Sequence, residues 1–302
     1  MKQLTKIAFF SFLTVALICC GCSKKTTEPE PETDEEAIQW LIGESPSYFN
    51  TQDHYGEEDT TDGRPGVFSP IITYFWFREL TYDPQISINI DIVGDSAYVS
   101  WFGEFKGNLH LFSDTIFPPD TLIEYTKNFT DHHNRYAIFK RLFHQEEDPM
   151  HRRGWRLVMV TGAEMTSEIN RVRIDSVRLN CTHYPDTVIT DPLAFFEKDD
   201  IITLSPEEKC SLTVYTNSDS VNVDHLFLHS WRRHIQHHRH EFMHIGDGIF
   251  SGVWFAPSNE AGAMDVIHHS AFDMIDKETL DDTEGLYDSN AWGMPYKVTT
   301  SY

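Results

Sequence analysis

The sequence has few basic residues. Its 24 lysines and arginines stand against 47 aspartates and glutamates, which gives a formal net charge of −23 at pH 7. A field of this sign repels the phosphates of nucleic acids and the anionic headgroups of lipids. The composition therefore argues against a nucleic-acid partner and against electrostatic adhesion to a membrane. Two interpretations of the acidity stay open: it keeps the protein in solution, or it attracts a basic partner.

Two common enzyme signatures are missing from the sequence. Gly43-Glu44-Ser45 lacks the closing glycine of a hydrolase nucleophile elbow, and no glycine-rich loop precedes a lysine as it does in phosphate-binding loops. The sequence therefore predicts no catalytic residue and no cofactor from these two classes of motif.

Cysteine is scarce, with five residues in the chain, and three of these lie within the first 22 positions. The other two, Cys181 and Cys210, lie in the alternating apolar patterns of residues 177–181 and 210–214, which point both side chains inward from their strands. They are a candidate disulfide in an oxidising compartment. Two small buried thiols that never meet are the alternative.

Long apolar runs are also lacking at the N-terminus. The stretch from Ile7 to Ile18 follows Lys2 and Lys6 and is too short to cross a bilayer as a resident helix. A basic start followed by a short apolar core is typical of an export signal.

Residues 17–22, Leu-Ile-Cys-Cys-Gly-Cys, resemble the processing site of bacterial lipoproteins, in which a small residue precedes the cysteine that receives the lipid. The resemblance implies a signal peptide over residues 1–21 and lipidation of Cys22, whose several acyl chains make a stable membrane anchor. Cys19 departs from the pattern, since leucine is usual there. Ser23 implies sorting to the outer membrane, facing either the periplasm or the cell surface. A cleaved secretory signal that leaves a soluble protein is the alternative.

Residues 22–36 contain two prolines and six acidic residues and no large apolar side chain. A segment of this composition cannot form a core, so we expect an extended, lipidated acidic tether.

The next part of the chain combines one helix with two hairpins. Apolar spacing predicts the helix over residues 35–42. Alternation predicts one hairpin from residues 87–92 and 97–105, and a second from residues 135–143 and 154–162.

This order of elements, closing with Gly154-Trp155-Arg156-Leu157-Val158, resembles the nuclear-transport-factor-two-like, or SnoaL-like, domains over residues 37–166. The resemblance implies an α+β domain over residues 37–168, in which a curved antiparallel sheet wraps helices around a cone-shaped pocket. Such a cone can bind a small molecule or catalyse a reaction. Catalysts of this family often use an Asp/His pair in the cone, and His132 and His133 are the nearest candidates for it, but their polar surroundings predict a loop.

The remainder of the chain, residues 169–302, has short strands at regular spacing. The predicted strands are residues 171–181, 209–216, 221–230, 240–245, 249–255, 264–274 and 292–298. Seven short strands, with a turn at Gly246-Asp247-Gly248, resemble an early-set immunoglobulin-like domain. The resemblance implies an all-β sandwich that binds or positions something rather than catalysing a reaction.

Histidine is concentrated between residues 225 and 244, where His240-Glu241-Phe242-Met243-His244 matches the zinc-protease signature. That motif works on a helix, which places its two histidines one turn apart. The turn that follows would stop such a helix and favours a hairpin. In a strand the two histidines would lie about 13 Å apart, too far to share one zinc ion. A zinc metallopeptidase is therefore the weakest hypothesis, and we predict no metal ligand.

Two further groups of side chains are candidate metal ligands. A predicted polar loop offers nitrogen ligands to a transition metal, together with two histidines on a later strand: His234, His237, His238 and His240, with His268 and His269. Four acids offer oxygen ligands but match no calcium-binding loop: Asp281, Asp282, Glu284 and Asp288. Solvated loops without a bound metal are the favoured interpretation of both groups. The aromatic run Tyr74-Phe75-Trp76-Phe77 is predicted to belong to the core.

Together these patterns predict a lipid-anchored protein of the bacterial cell envelope with a non-enzymatic binding or structural role. The expected partners are the membrane, through the lipid, and an envelope protein or glycan. A small-molecule-binding or catalytic cone in residues 37–168 is the alternative.

Overall fold

The computed structural model describes residues 33–49, 71–114, 121–142, 151–232, 236–258 and 267–299. They belong to one compact unit, Pro31–Tyr302. The predicted signal peptide, the predicted lipidation site Cys22, nearly all of the predicted tether and His234 lie outside the described residues. Within those ranges, no helix is both long enough and apolar enough to cross a bilayer.

Most described elements are strands. The larger sheet contains β1 (Ile72–Leu80), β2 (Gln85–Val93), β3 (Ser96–Asp114), β4 (Ile123–Arg141), β5 (Trp155–Val160), β6 (Ala163–Ser167), β9 (Phe196–Glu197), β10 (Ile202–Leu204), β12 (His225–Arg232), β13 (Gln236–Glu241), β16 (Ile267–Ile275) and β17 (Ser289–Val298). The smaller sheet contains β7 (Ile174–Asn180), β8 (Thr187–Ile189), β11 (Lys209–Thr216), β14 (Met243–Gly246) and β15 (Ile249–Phe255). The helices of the described ranges are α1 (Asp34–Glu44), α2 (Pro46–Phe49) and α3 (Lys277–Asp281), with a short 3-10 turn at His151–Gly154.

The predicted fold class is wrong, because the described residues are mostly β with a curled antiparallel sheet and do not form the predicted α+β domain that wraps helices. The helices of the described ranges have only 11, 4 and 5 residues. Strands from both sides of the predicted domain boundary at residues 168 and 169 share the larger sheet, since β6 pairs with β17. The order of elements had suggested the resemblance, and order along the chain does not reveal which distant strands pair.

Both predicted hairpins of the N-terminal half are confirmed. β2 pairs with β3, and β4 pairs with β5. Burial along β3 alternates, so that alternate side chains from Ala97 to Ser113 face the interior. This period of two is what a strand with one buried face requires.

The larger sheet follows the order β1-β3-β4-β6-β17-β16-β12-β13 and curls until its two end strands approach each other. Arg239 of β13 donates a hydrogen bond to the backbone oxygen of Trp76 on β1, at 3.1 Å. Its guanidinium also lies over the indole ring, 3.5 Å from the centroid. A backbone hydrogen bond and a cation–π contact therefore connect the two ends of the curl.

Two hydrophobic clusters cover opposite faces of this sheet. The first fills the inside of the curl with side chains from β1, β3, β4 and β5, together with α1 and α2. The second lies between the smaller sheet and strands β12, β16 and β17 of the larger one. One sheet therefore serves as a wall of both cores.

The helix predicted over residues 35–42 is confirmed as α1. Thr33 and Glu36 form a capping box at its N-terminus, and Ala37, Ile38, Leu41 and Ile42 are buried. Asp34, in its first turn, forms ion pairs with Arg141 and, at 2.6 Å, with Arg153. These contacts join the start of the described chain to the curled sheet.

Candidate functional site

The inside of the curl holds a group of polar side chains that we call the buried ion cluster. Its members come from different strands or from the loop before β17: Arg78, Asp131, His229, Asp273, Tyr287 and Ser289. Neither Arg78, His229 nor Asp273 has exposed side-chain surface.

Arg78 is the centre of the buried ion cluster. Its guanidinium donates to both carboxylate oxygens of Asp273, at 2.5 and 3.1 Å. It also donates to the Tyr287 hydroxyl at 2.9 Å and to Ser289 Oγ at 3.1 Å. Nε2 of His229 lies 3.0 Å from Asp273 Oδ2, and the Tyr287 hydroxyl donates to Asp131 at 3.0 Å. Five strands and one loop are thereby joined by hydrogen bonds, several of them charge-assisted, which is the stronger class of such bonds.

Burial and charge act in opposite directions on these groups. Burial alone raises the pKa of Asp273, but the charge of Arg78 and the hydrogen bond from His229 hold that pKa well below its usual range. Burial also lowers the pKa of Arg78, whereas Asp273 raises it more strongly, so the guanidinium stays charged. Burial raises the pKa of Tyr287, which keeps its hydroxyl protonated as a donor. These groups are buried, and their mutual hydrogen bonds compensate the cost of removing the charges from water.

His132 and His133 do not lie in a loop, as the sequence had predicted, but inside β4. His132 is exposed on the outer face, whereas His133 is buried against the rings of Trp101 and Phe105, with centroids 5.1 and 5.7 Å away. The strand directs the two side chains to opposite faces of the sheet, so only His133 lies inside the curl.

The zinc-protease match is spread over two strands. β13 ends at Glu241, β14 begins at Met243, and β14 pairs with β15 through the predicted turn at Gly246, whose φ is +125°. His240 and His244 therefore lack the helical spacing that the motif needs. Glu241, the residue that would activate water, instead accepts a hydrogen bond from His225. The described part of the chain contains no group of three or more histidine, cysteine or acidic side chains suited to a metal.

His225 lies between two carboxylates. Its Nδ1 is 3.1 Å from Glu241 and its Nε2 is 3.4 Å from Asp281 at the end of α3. Burial lowers the pKa of His225, but the hydrogen bonds and charges of Asp281 and Glu241 raise it more, to about 9. The imidazolium therefore joins β12, β13 and α3 at neutral pH.

The four acids considered as calcium ligands have separate roles. Asp281 contacts His225 and Lys277. The backbone oxygen of Asp282 accepts a hydrogen bond from Lys127, and its side chain accepts one from the amide of Glu284. The carboxylate of Asp288 is buried and accepts hydrogen bonds from Ser167 and Arg171.

The aromatic run at residues 74–77 alternates between the faces of β1. Trp76 is buried in the first cluster, as predicted. Phe75 and Phe77 are half-buried on the other face, where Phe77 stacks on His110 with centroids 4.7 Å apart.

A second group of aromatic side chains faces solvent on the outer face of the curl. We call it the outer aromatic patch, and it consists of Tyr98, Phe102, Tyr136 and Phe195. Their exposed fractions are 49% for Tyr98, 40% for Phe102 and 44% for Phe195. The ring of Tyr136 lies between those of Phe102 and Phe195, with centroids 6.2 and 6.5 Å away.

The smaller sheet does not cover this part of the outer face. Farther along the same face, Trp292 and Met294 of β17 are buried in the second cluster beneath the smaller sheet. Sequence reasoning had assigned Tyr98 and Phe102 to a hairpin without noting that they share its outer face. Their spacing of four in a strand was the available signal.

Comparison with known proteins does not identify the chain, because no protein family, no curated protein and no solved structure matches it. The resemblances to lipoprotein signals and to the two domain families therefore stay predictions.

Proposed function

We propose that this chain is a lipid-anchored protein of the bacterial cell envelope whose role is to bind a partner, and that the outer aromatic patch is its contact surface. One observation carries the proposal: aromatic side chains of the outer aromatic patch are exposed to solvent, whereas the residues of the buried ion cluster are buried inside the curl. Exposed aromatic side chains can contact a partner without any rearrangement of the fold.

The composition of the patch suits a protein partner. Tyrosine and phenylalanine are enriched in the cores of protein interfaces, where rigid rings bury much apolar area at low entropic cost. Polar neighbours Ser100, His132 and Asn134 lie beside the rings on β3 and β4 and could form the rim. The net charge of −23 favours a partner with a basic surface. We therefore propose a basic envelope protein, with an uncharged glycan as the other outcome of the test.

Anchoring is proposed from the sequence of residues 17–22. Replacing Cys22 with alanine should abolish incorporation of labelled palmitate and move the protein to the soluble fraction, because the lipid provides the attachment. Cys20→Ala is the matched control and should stay lipidated and membrane-bound. A Cys22→Ala protein that remains in the membrane fraction would contradict the anchor.

Binding can be tested in intact cells with a photo-crosslinking amino acid at Phe102. We expect a reproducible protein adduct, identified by mass spectrometry, and its loss when Tyr98 is also changed to serine. The same crosslinker at Val221, which is 81% exposed and away from the patch in sequence, is the control. An adduct with a glycan would show that the partner is a glycan and not a protein. The absence of any adduct at Phe102 would contradict the binding role.

The cone hypothesis has less support. Large side chains such as Trp155, Phe105 and Leu109 occupy the inside of the curl, and each is fully buried. Native mass spectrometry of the purified protein should therefore find no retained small molecule. A bound molecule of constant mass would favour the cone instead.

A further inference from the structure

Cys181 and Cys210 lie opposite each other at the end of two paired strands. β7 and β11 are antiparallel, and their pairing includes Asn180 opposite Ser211. One step further along this register places Cys181 opposite Cys210. The Cα atoms of directly opposite residues in such a pair are about 4.5–5.5 Å apart, which is within the range that a disulfide bridges.

The local hydrogen bonds agree with this placement. The amide of Cys181 donates to the backbone oxygen of Tyr184, at 3.3 Å, and so is directed away from β11. Burial raises the pKa of both thiols, and a side-chain hydrogen bond between them raises the pKa of Cys210 further while it lowers that of Cys181. Their exposed fractions are 7% for Cys181 and 0% for Cys210.

We propose that Cys181 and Cys210 form a structural disulfide when the chain folds in an oxidising compartment. The bond connects the end of β7 to the start of β11 and closes the intervening segment, which carries β8, β9 and β10. Each thiol loses a proton and an electron, and the two sulfurs join. The two electrons and two protons reduce the disulfide of an exchanging oxidant, such as glutathione disulfide, to two thiols.

The surroundings of the thiols favour a permanent bond over a reversible switch. Burial raises the pKa of both Cys181 and Cys210 above the ordinary thiol value. Since the thiolate is the species that attacks a disulfide, the folded and reduced pair should exchange slowly. The bond should therefore form before the second cluster closes around it, and should resist mild reductants afterwards.

The experiment refolds the purified full chain in a glutathione buffer that contains the disulfide form, blocks free thiols in denaturant, and maps the peptides. We expect one linked peptide pair that contains Cys181 and Cys210, and its separation after full reduction. The result does not depend on a binding partner or on the lipid at Cys22, so it can fail while the proposed function holds.

Thermal unfolding provides the second measurement. The oxidised protein should melt on the order of 5–10 °C above the fully reduced protein, because closing the segment restricts the unfolded chain. The Cys181→Ala/Cys210→Ala variant should show no response to reductant. Recovery of both cysteines separately blocked after oxidative refolding would overturn the proposal, as would equal melting temperatures of the linked and reduced wild-type forms.

Discussion

Arg78 and Asp273, which are 195 residues apart in the sequence, form a bidentate ion pair, and neither side chain has exposed surface. The pair joins β1, at one end of the curled sheet, to β16 near the other. A buried charge is tolerated only when its partner is present, so this contact specifies which distant strands share the inside of the curl.

Replacing Arg78 with methionine should lower the free energy of unfolding by about 3–5 kcal/mol, because Asp273 is then left as an uncompensated buried charge. Urea unfolding monitored by tryptophan fluorescence measures the change. Arg178→Met is the matched control: the pair Arg178–Asp186 is exposed at the surface, and its loss should have little effect on unfolding.

The double variant Arg78→Met/Asp273→Leu separates two contributions to the free energy of unfolding: the cost of an unpaired buried charge and the net contribution of the ion pair. It should be more stable than Arg78→Met alone, since the carboxylate that would lose its partner is removed as well. If the double variant were as unstable as the sum of the single ones, packing rather than charge would govern this position.

His225 should make stability depend on pH. Its pKa in the folded protein, about 9, lies above the ordinary value of 6.5. The folded state therefore binds the proton more tightly, so this stabilisation is complete below about pH 6.5 and is lost as the pH rises through about 9.

The difference in unfolding free energy between the wild type and His225→Gln should be on the order of 2 kcal/mol at about pH 6 and should nearly vanish by about pH 10. Comparing the two proteins at each pH cancels the titration of other groups. A difference that stays constant across this range would mean that His225 contributes only through packing.

Two glycines should respond in opposite ways to alanine. Gly43 lies in α1 with open space around it, and Gly43→Ala should stabilise the protein by about 0.5–1 kcal/mol through helix propensity. At Gly107 a Cβ would overlap the backbone oxygen of Glu79 and the ring of Phe129. Gly107→Ala should therefore destabilise by at least about 1–3 kcal/mol, measured by the same unfolding assay. Equal effects at the two positions would contradict the close packing of β1, β3 and β4.

Lys127 should hold α3 in place. Its ammonium donates to the backbone oxygens of Glu278, Thr279 and Asp282, at 3.0, 2.7 and 2.5 Å, and so caps the C-terminal end of the helix. Burial lowers its pKa to about 8, which still leaves it mainly protonated at neutral pH. Lys127→Met should speed amide hydrogen exchange across residues 277–282 while the centre of β3 stays protected. Unchanged exchange in α3 would refute this role.

Local features were predictable from the sequence, and long-range ones were not. Alternation identified β3, and apolar spacing identified α1, because each pattern is contained within a few residues. The pairing of β6 with β17 cannot be predicted from local sequence patterns. The two strands are more than a hundred residues apart in the chain, and neither segment contains a pattern that identifies its partner strand. The fold class was missed for this reason.

The same limit applies to the inside of the curl. Residues 130–134 were predicted to be a loop because the segment is polar, yet Asp131 and His133 are inward-facing positions of β4. Hydrophobic periodicity cannot reveal a buried face that carries charge. The buried ion cluster could not be predicted from the sequence either, because its members lie on separate strands and form no linear motif.

The ion pairs of Asp34 have a mechanical consequence. If Cys22 carries the proposed lipid anchor, tension between the membrane and a bound partner enters the described part of the chain at the first turn of α1. There Arg141 and Arg153 hold Asp34 from the curled sheet. These two ion pairs transfer part of the force to the end of β4 and to the turn before β5. We therefore expect α1 to stay attached to the sheet under tension until both ion pairs break.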